Sequence, residues 1–169
     1  LDINNETYYV EDDDGKQYSV PIDSDTQLMH PSSVRGVPDM TSLGELHECS
    51  ILRNLLLRYR SDEIYTYTGS VLIAINPYCS LPIYTDQITR QYTDKPIGQL
   101  PPHLFAIGDN AYRQMLRDSH DQCIIISGES GAGKTESTKL LLQFITAISG
   151  GDSNVGRRIL DSNPIMEGM

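Results

Sequence analysis

The chain contains few cysteines and few basic residues, and both shortages restrict its function. Its three cysteines, Cys49, Cys79 and Cys123, are odd in number, widely spaced and in no Cys-x-x-Cys pair. That pattern argues against a disulfide framework or a zinc site and favours a reducing compartment. The chain has 13 lysines and arginines against 23 acidic residues, which gives a net charge of −10. Because binding to a phosphate backbone needs clustered basic residues, nucleic acid is not expected as a ligand.

Long apolar runs are also missing from the sequence. No segment reaches the roughly 18 consecutive apolar residues of a transmembrane helix, and no secretory signal is visible, so no membrane span is expected. The histidines lack metal-ligand spacing and are expected at the surface or in capping roles; they are His30, His47, His103 and His120. With 169 residues, 38% of them hydrophobic, the sequence predicts one globular domain, alone or with a small additional piece.

Residues 124–135 contain the most specific motif of the chain. Gly128, Gly133, Lys134 and Thr135 follow an apolar run and match the phosphate-loop spacing G-x-x-x-x-G-K-[ST]. Glycines allow positive φ, so that backbone N–H groups at the start of a helix can surround an anion. In such loops the lysine reaches the β- and γ-phosphates and the threonine hydroxyl binds Mg²⁺. We predict a nucleotide-binding loop here rather than a glycine-rich turn that opens a core helix.

The first 28 residues predict a separate, acidic β-hairpin. Residues 7–10 and 17–20 have strand composition, and Asp14-Gly15 provides the turn between them. The acidic run 11–14 is interpreted as a solvated turn, because the full ligand set of a calcium loop is missing. Two strands alone are marginally stable, so the hairpin must pair with other strands or pack on the following domain.

Alternating helix and strand patterns from residue 29 onward predict an α/β domain. The first helix is predicted to begin after an N-cap at Thr41 or Ser42, with a kink or restart near residues 49–50. Its three arginines are assigned to a solvated face or to local ion pairs: Arg53, Arg58 and Arg60. The pattern then predicts strands 64–68 and 71–75, helices 86–92 and 103–118, strand 122–127, helix 134–148 and a helical piece at 155–160.

Strand 122–127 and the helix after the phosphate loop are expected to need covering. A strand before such a loop is normally central in a parallel sheet and buried on both faces. Helix 134–148 is apolar nearly all round, which is typical of a helix inside a large domain. No apolar strand follows that helix to receive the crossover. The apolar faces of strand 122–127 and helix 134–148 should therefore be left exposed in these residues by themselves.

Several segments together with the phosphate loop resemble the myosin motor-domain family. The matching segments are residues 37–43, 51–55, 65–70, 76–84, 102–107, 109–112 and 128–139. The resemblance extends from about Met29 to Glu167, most of the chain. Within the family, residues 30–40, 90–93 and 97–98 are most similar to the unconventional classes VII and X.

The resemblance implies an α/β fold with a P-loop NTPase-type core, incomplete, after a small partial β-barrel or hairpin at residues 1–28. It implies ATP and Mg²⁺ as cofactors and a nucleotide site formed by Gly128, Glu129, Ser130, Gly131, Ala132, Gly133, Lys134, Thr135, Asn76, Pro77 and Tyr84. Lys134 and Ser130 would take part in catalysis, and Ser130 would lie near the γ-phosphate and the attacking water. Thr135 would hold Mg²⁺. The family's cationic contact beside the base is not carried over, because Cys79 and Ser80 replace it.

Asn76, Pro77 and Tyr84 correspond to the adenine-binding loop of the family. An aromatic ring and a polar amide beside a base are physically reasonable there. Considered singly, each of the three has an ordinary structural interpretation, since Asn-Pro also ends strands. The assignment to adenine therefore depends on the resemblance and not on these residues alone.

Parts of a complete motor site are not found in the sequence. Phosphoryl transfer needs a second Mg²⁺ ligand and a residue that orients the water, and the switch I and switch II segments that supply them in myosins do not occur here. Residues 29–169 are accordingly expected to be the N-terminal part of a motor domain, truncated before switch I.

The parent protein is expected to be an ATP-driven motor on actin filaments, which it would contact through regions outside these residues. It would carry calmodulin or light chains and would be cytoplasmic and associated with the cytoskeleton. Two alternatives remain open at this point. The first is that the chain belongs to another P-loop enzyme, such as a nucleotide kinase. The second is that it is a truncated product without catalytic activity.

Overall fold

The computed structural model describes residues 2–4, 7–12, 14–22 and 29–150. The chain divides into two compact units, Leu1–His30 and Pro31–Met169, and each is described by itself. The helical piece predicted at residues 155–160 lies outside the described residues.

The first unit contains a three-stranded antiparallel sheet. Its strands are β1 (Asp2–Asn4), β2 (Thr7–Glu11) and β3 (Gln17–Pro21), in the order β1-β2-β3. The predicted hairpin is confirmed, and β1 is an additional strand, too short for its sequence pattern to show. The Asp12 carboxylate closes the acidic turn by accepting hydrogen bonds from the N–H groups of Asp14 at 3.0 Å and Lys16 at 2.8 Å.

The second unit contains four α-helices, a β-hairpin and two short 3-10 helices within its described residues. The elements are 3-10 helices Pro31–Val34 and Met40–Ser42, helix α1 (Glu48–Arg60), strands β4 (Tyr65–Thr68) and β5 (Val71–Ala74), and helices α2 (Asp86–Tyr92), α3 (Leu104–Asp118) and α4 (Lys134–Ile148). Strands β4 and β5 pair antiparallel across Gly69-Ser70, as predicted. Helices α2 and α4 have the predicted bounds, and α3 begins one residue later because His103 is its N-cap.

The start of α1 differs from the predicted N-cap at Thr41 or Ser42. These residues belong to a 3-10 helix that Asp39 caps, since the Asp39 carboxylate accepts the Thr41 N–H at 3.0 Å. Helix α1 instead begins with a capping box, in which His47 Nδ1 accepts the Ser50 N–H and Ser50 Oγ accepts the His47 N–H, both at 3.2 Å. The predicted restart is therefore the true beginning of the helix. The predicted capping role of the histidines is confirmed at His47.

Arg58 is buried, so its predicted place on a solvated face of α1 is wrong. Its Nε donates to Thr66 Oγ1 at 2.9 Å, and its guanidinium also donates to the Tyr65 carbonyl at 2.8 Å and to the Glu63 carboxylate at 3.0 Å. Burial lowers the pKa of the guanidinium, and the Glu63 charge acts in the opposite direction. Only the predicted local ion pair is confirmed. Arg58 joins the end of α1 to β4 through these bonds.

Helices α3 and α4 approach closely at Gly108. A Cβ atom at this position would lie 2.8 Å from Leu141 Cδ1 and 3.0 Å from Phe144 Cδ1. Phe105, one turn earlier on α3, stacks on Phe144 with ring centroids 4.5 Å apart. Leu141 and Phe144 are both buried. Because α4 begins at the phosphate loop, this packing fixes the position of the loop relative to α3.

His103 joins the start of α3 to the segment before Tyr84. Its Nδ1 accepts the Phe105 N–H at 3.0 Å, so the neutral ring carries its proton on Nε2, which donates to the Ile83 carbonyl at 2.9 Å. The ring stacks on Tyr92, with centroids 4.8 Å apart, and also lies against Tyr84. Burial lowers the pKa of His103 to about 4.

Residues 122–127, predicted as a strand, pair with no other strand in the described parts of the chain. Burial alternates along the segment, with Ile124 and Ile126 half-buried and Ile125 86% exposed. This alternation is typical of a strand that is covered on one face. A β-strand in a sheet also needs a neighbouring strand for its backbone hydrogen bonds. The expected parallel sheet is therefore not found among the described residues. The exposure of Ile125 agrees with the apolar surface that the sequence predicts.

We expect Gly108→Ala to lower the free energy of unfolding by about 1 kcal/mol. Alanine gains about 1 kcal/mol of helix propensity over glycine, but overpacking a buried contact costs about 2 kcal/mol. Urea denaturation measures the difference. In a double-mutant cycle with Leu141→Val the two changes should compensate, because valine removes the Cδ1 atom that the new methyl meets. A stabilised Gly108→Ala protein would contradict the close contact.

We expect His103 to make stability fall as the pH drops from 6.5 towards 4. The unfolded chain takes up a proton at the ordinary histidine pKa of about 6.5, whereas the folded chain does so only near about 4. The neutral ring thus stabilises the fold fully above pH 6.5, and about 3 kcal/mol is lost by pH 4, at about 1.4 kcal/mol per pKa unit.

The matched variant for this titration is His103→Asn. Asparagine keeps a side-chain oxygen for the N-cap and does not titrate in this range. Denaturation of both proteins at pH 7, 6, 5 and 4.5 should give a shallower decline for the variant, since the carboxylates contribute equally to both. Parallel declines would show that His103 is not the titrating group.

Candidate nucleotide-binding site

The phosphate-loop motif adopts a backbone that its glycines make possible. Gly128, Gly131 and Gly133 have φ angles of 154°, 81° and 94°, all in the region that side chains strongly disfavour. A Cβ atom on Gly128 would also come within 3.2 Å of Ala132 Cβ. The Ala132 N–H donates to the Glu129 carbonyl at 3.2 Å and closes a turn inside the loop. The spacing of the glycines therefore has a conformational reason in this chain.

Helix α4 begins without a side-chain cap. Its N-cap is Gly133, which has no side-chain oxygen to accept a hydrogen bond from the first turn. The first N–H groups of a helix have no partner within the helix, and the helix dipole places partial positive charge there. Ser130 and Thr135, the two hydroxyl residues of the motif, are exposed. The loop and the helix start together provide backbone donors suited to an anion such as a phosphate.

Lys134 lies across the phosphate loop. Its ammonium group donates to the carbonyl oxygens of Gly128 and Glu129, each at 2.8 Å. One positive charge thus holds two successive carbonyl groups at the start of the loop. A bound phosphate would compete with these carbonyls for the same ammonium group, which has three donors to share.

Asn76 connects the predicted adenine segment to the phosphate loop. Its Nδ2 donates to the Gly131 carbonyl at 2.8 Å, although the two residues are 55 positions apart in the sequence. Its Oδ1 accepts the N–H of Tyr78 at 2.9 Å. Asn76 follows β5 closely, and the Ile75 N–H donates to the Ile64 carbonyl at 3.0 Å. The structure therefore brings together two of the segments that the sequence assigns to one site.

Tyr84 is part of the aromatic core. Its hydroxyl shares a hydrogen bond of 2.8 Å with the hydroxyl of Tyr65, and its ring lies against His103 and Phe105. Burial raises the pKa of both hydroxyls, and their hydrogen bond adds to the rise at Tyr65 and opposes it at Tyr84. Either hydroxyl can be the donor of this bond, because each O–H both donates and accepts.

Tyr78 is an exposed aromatic residue that the sequence-based prediction passed over. It is 83% exposed and adopts a φ of 52°, which is unusual for a residue with a side chain. The hydrogen bond from its N–H to Asn76 Oδ1 stabilises this conformation. The signal in the sequence is the asparagine two residues earlier, because an asparagine side chain often accepts a hydrogen bond from the backbone two residues on in a turn.

The described residues supply few ligands for a metal ion. No group of three or more histidine, cysteine, aspartate or glutamate side chains converges among them. Thr135 would be the protein ligand of a Mg²⁺ ion at the loop, and Mg²⁺ in such sites takes its remaining ligands largely from phosphate and water. Among the residues that the structure describes, no helix is both long enough and apolar enough to cross a bilayer.

The family model and the similar proteins that match this chain all point to the same family. The family model described as "Myosin head (motor domain)" matches residues 37–169. Myosin-VIIa of Drosophila melanogaster is 60% identical over 158 residues, which cover 94% of this chain and 7% of that protein. Unconventional myosin-VIIb of Mus musculus is 49% identical over 160 residues, which cover 94% of this chain and 8% of the relative. Myosin-H heavy chain of Dictyostelium discoideum is 43% identical over 167 residues.

These matches cover nearly the whole chain but only a small part of each relative, less than a tenth of the three named. They confirm the predicted resemblance to an unconventional myosin similar to class VII. The chain therefore belongs to the myosin head (motor domain) family.

Proposed function

We propose that this chain binds the phosphates of ATP in a motor that hydrolyses ATP and moves along actin filaments. The observation that supports this most directly is the geometry of residues 128–135. Three positive-φ glycines, an uncapped helix start and a lysine across the loop occur together in a chain of the myosin head family. Each of these features favours a negatively charged ligand.

The proposed roles follow from the chemistry of each group. Backbone N–H groups of the loop surround the phosphates. The residues that contribute these groups are Gly128, Glu129, Ser130, Gly131, Ala132 and Gly133. The Lys134 ammonium leaves the loop carbonyls and pairs with the β- and γ-phosphates, and the Thr135 hydroxyl binds the Mg²⁺ that accompanies ATP. The exposed Ser130 hydroxyl lies near the γ-phosphate and the attacking water.

The base is proposed to lie beside residues 76–84. Asn76 contacts the phosphate loop through its bond to Gly131, and Pro77 follows it in the same segment. The Tyr84 hydroxyl bonds to that of Tyr65 and, because a hydroxyl both donates and accepts, it can still pair with a polar atom of adenine.

Hydrolysis needs further groups besides this binding site. A second Mg²⁺ ligand and a residue that orients the water are required for phosphoryl transfer. Glu136, the acidic residue in the first turn of α4, pairs with Lys139 at 3.4 Å. We propose that residues 128–135 bind nucleotide and that turnover depends on additional segments of a motor domain.

Actin binding belongs to the proposed motor as a whole and not to the loop. Calmodulin or light chains as bound subunits, and a cytoplasmic place on the cytoskeleton, are proposed on the same basis. The family membership of residues 37–169 supports these proposals. Co-sedimentation of the complete motor with actin filaments, with and without ATP, tests them directly.

We expect Lys134→Ala to weaken ATP binding about 10- to 100-fold, since a hydrogen bond to a charged group contributes about 1.5–3 kcal/mol. Lys139→Ala is the matched control, because Lys139 lies on the same helix but pairs with Glu136. Titration calorimetry with Mg²⁺·ATP measures both affinities. In the complete motor Lys134→Ala should also abolish ATP turnover. Undiminished actin-activated ATPase would refute the assignment.

We expect Thr135→Val to remove the dependence of ATP affinity on Mg²⁺. Valine has the shape of threonine without the hydroxyl, so it cannot bind the ion. The ratio of ATP affinities measured with Mg²⁺ and with a chelator should fall towards one in Thr135→Val. Thr135→Ser keeps a hydroxyl and should retain the wild-type ratio. An unchanged ratio in the valine variant would exclude Thr135 as a metal ligand.

A further inference from the structure

The side-chain amide of Asn76 has partners on both its oxygen and its nitrogen. The nitrogen donates to the Gly131 carbonyl at 2.8 Å, and the oxygen accepts the Tyr78 N–H at 2.9 Å. One of these bonds leads into the phosphate loop, and the other holds a residue of its own segment in the left-handed conformation. Asn76 therefore acts as a link between two loops through its amide.

The peptide bond between Gly131 and Ala132 is held on both sides. Its carbonyl accepts from Asn76, and its N–H donates to the Glu129 carbonyl at 3.2 Å. Because a peptide unit is planar, fixing both groups fixes the orientation of the whole unit. Gly131 has a φ of 81°, and among the described residues no atom beyond its chain neighbours lies within 4 Å of the position a Cβ would take, so packing at this position does not hold the conformation.

The same hydrogen bonds continue to Lys134. The Glu129 carbonyl accepts from the Ala132 N–H and also from the Lys134 ammonium at 2.8 Å. The Lys134 ammonium further donates to Gly128. A connected series of hydrogen bonds thus runs from Asn76 through the centre of the loop to its lysine.

Asn76 is itself anchored from both sides. The preceding Ile75 N–H donates to the Ile64 carbonyl at 3.0 Å, next to the β4–β5 hairpin. The following Pro77 has a restricted φ, which limits how the backbone can turn away. The amide is therefore presented to Gly131 from a fixed support.

We propose that Asn76 is a positioning residue that fixes the conformation of the phosphate loop. Its amide acts on the Gly131–Ala132 peptide, so it affects the binding of phosphates whether or not a base is attached. The base contacts proposed for this segment then belong to Pro77 and Tyr84. This inference deepens the proposed function, because it assumes that residues 128–135 bind phosphate.

The test compares ATP with inorganic tripolyphosphate, which carries three linked phosphates and no base. Affinities of both for wild type and Asn76→Ala are measured by titration calorimetry in the presence of Mg²⁺. One hydrogen bond contributes about 0.5–1.5 kcal/mol, so Asn76→Ala should weaken both ligands by a similar factor, about 2- to 10-fold. Asn110→Ala, on α3, is the control and should leave both affinities unchanged.

A second measurement needs no ligand. Hydrogen–deuterium exchange of the ligand-free protein should be faster in Asn76→Ala for a peptide that covers residues 128–134, because the loop opens more easily. The hairpin β4–β5 should remain as protected as in wild type, which shows that the variant is folded.

The outcomes separate this inference from the proposed function. Equal weakening of both ligands supports the positioning role, and loss of ATP affinity alone would make Asn76 a base contact and overturn it. Unchanged affinities with unchanged exchange would also overturn it. If wild type bound neither ligand, the proposed function would fail, while faster loop exchange in Asn76→Ala would still support the link between the loops.

Discussion

The contact between α3 and α4 at Gly108 positions the rest of the second unit's candidate site. Phe105 and Phe144 stack there, and the missing side chain of Gly108 lets the two helices approach. Helix α4 starts at the phosphate loop and α3 starts at His103, so one packing contact relates the loop to the aromatic core. A rigid helix pair of this kind holds a binding loop more accurately than a long connection would.

Polar contacts of this unit join different secondary-structure elements and loops to one another. Arg58 ties α1 to β4, and His103 ties α3 to Ile83, just before Tyr84. Asn76 ties the end of the hairpin to the loop. Each is a hydrogen bond between side chain and backbone carbonyl, and such bonds have a strong directional preference. They fix orientation, whereas the apolar contacts mainly supply stability.

Features set within one element or turn could be predicted from the sequence, and features set by contacts between different elements could not. The glycine spacing of the loop, the bounds of α2 and α4 and the hairpin at Gly69-Ser70 all follow from local patterns. The burial of Arg58 depends on Thr66 and Tyr65, which helical periodicity does not reveal. The contact from Asn76 to Gly131 likewise joins residues 55 positions apart. The apolar run at residues 122–127 could indicate a strand, but not whether a neighbouring strand is present.

The uncapped start of α4 has a consequence for folding as well as for binding. A serine, threonine or aspartate at an N-cap typically adds about 1 kcal/mol of stability, and Gly133 supplies no side-chain oxygen for this. The chain therefore leaves part of its potential stability unrealised at the place where an anion is expected. Under the proposed function a ligand that occupies this position acts as the missing cap, and its binding free energy is added to that of the fold. Nucleotide binding and the stability of the loop conformation are then thermodynamically coupled.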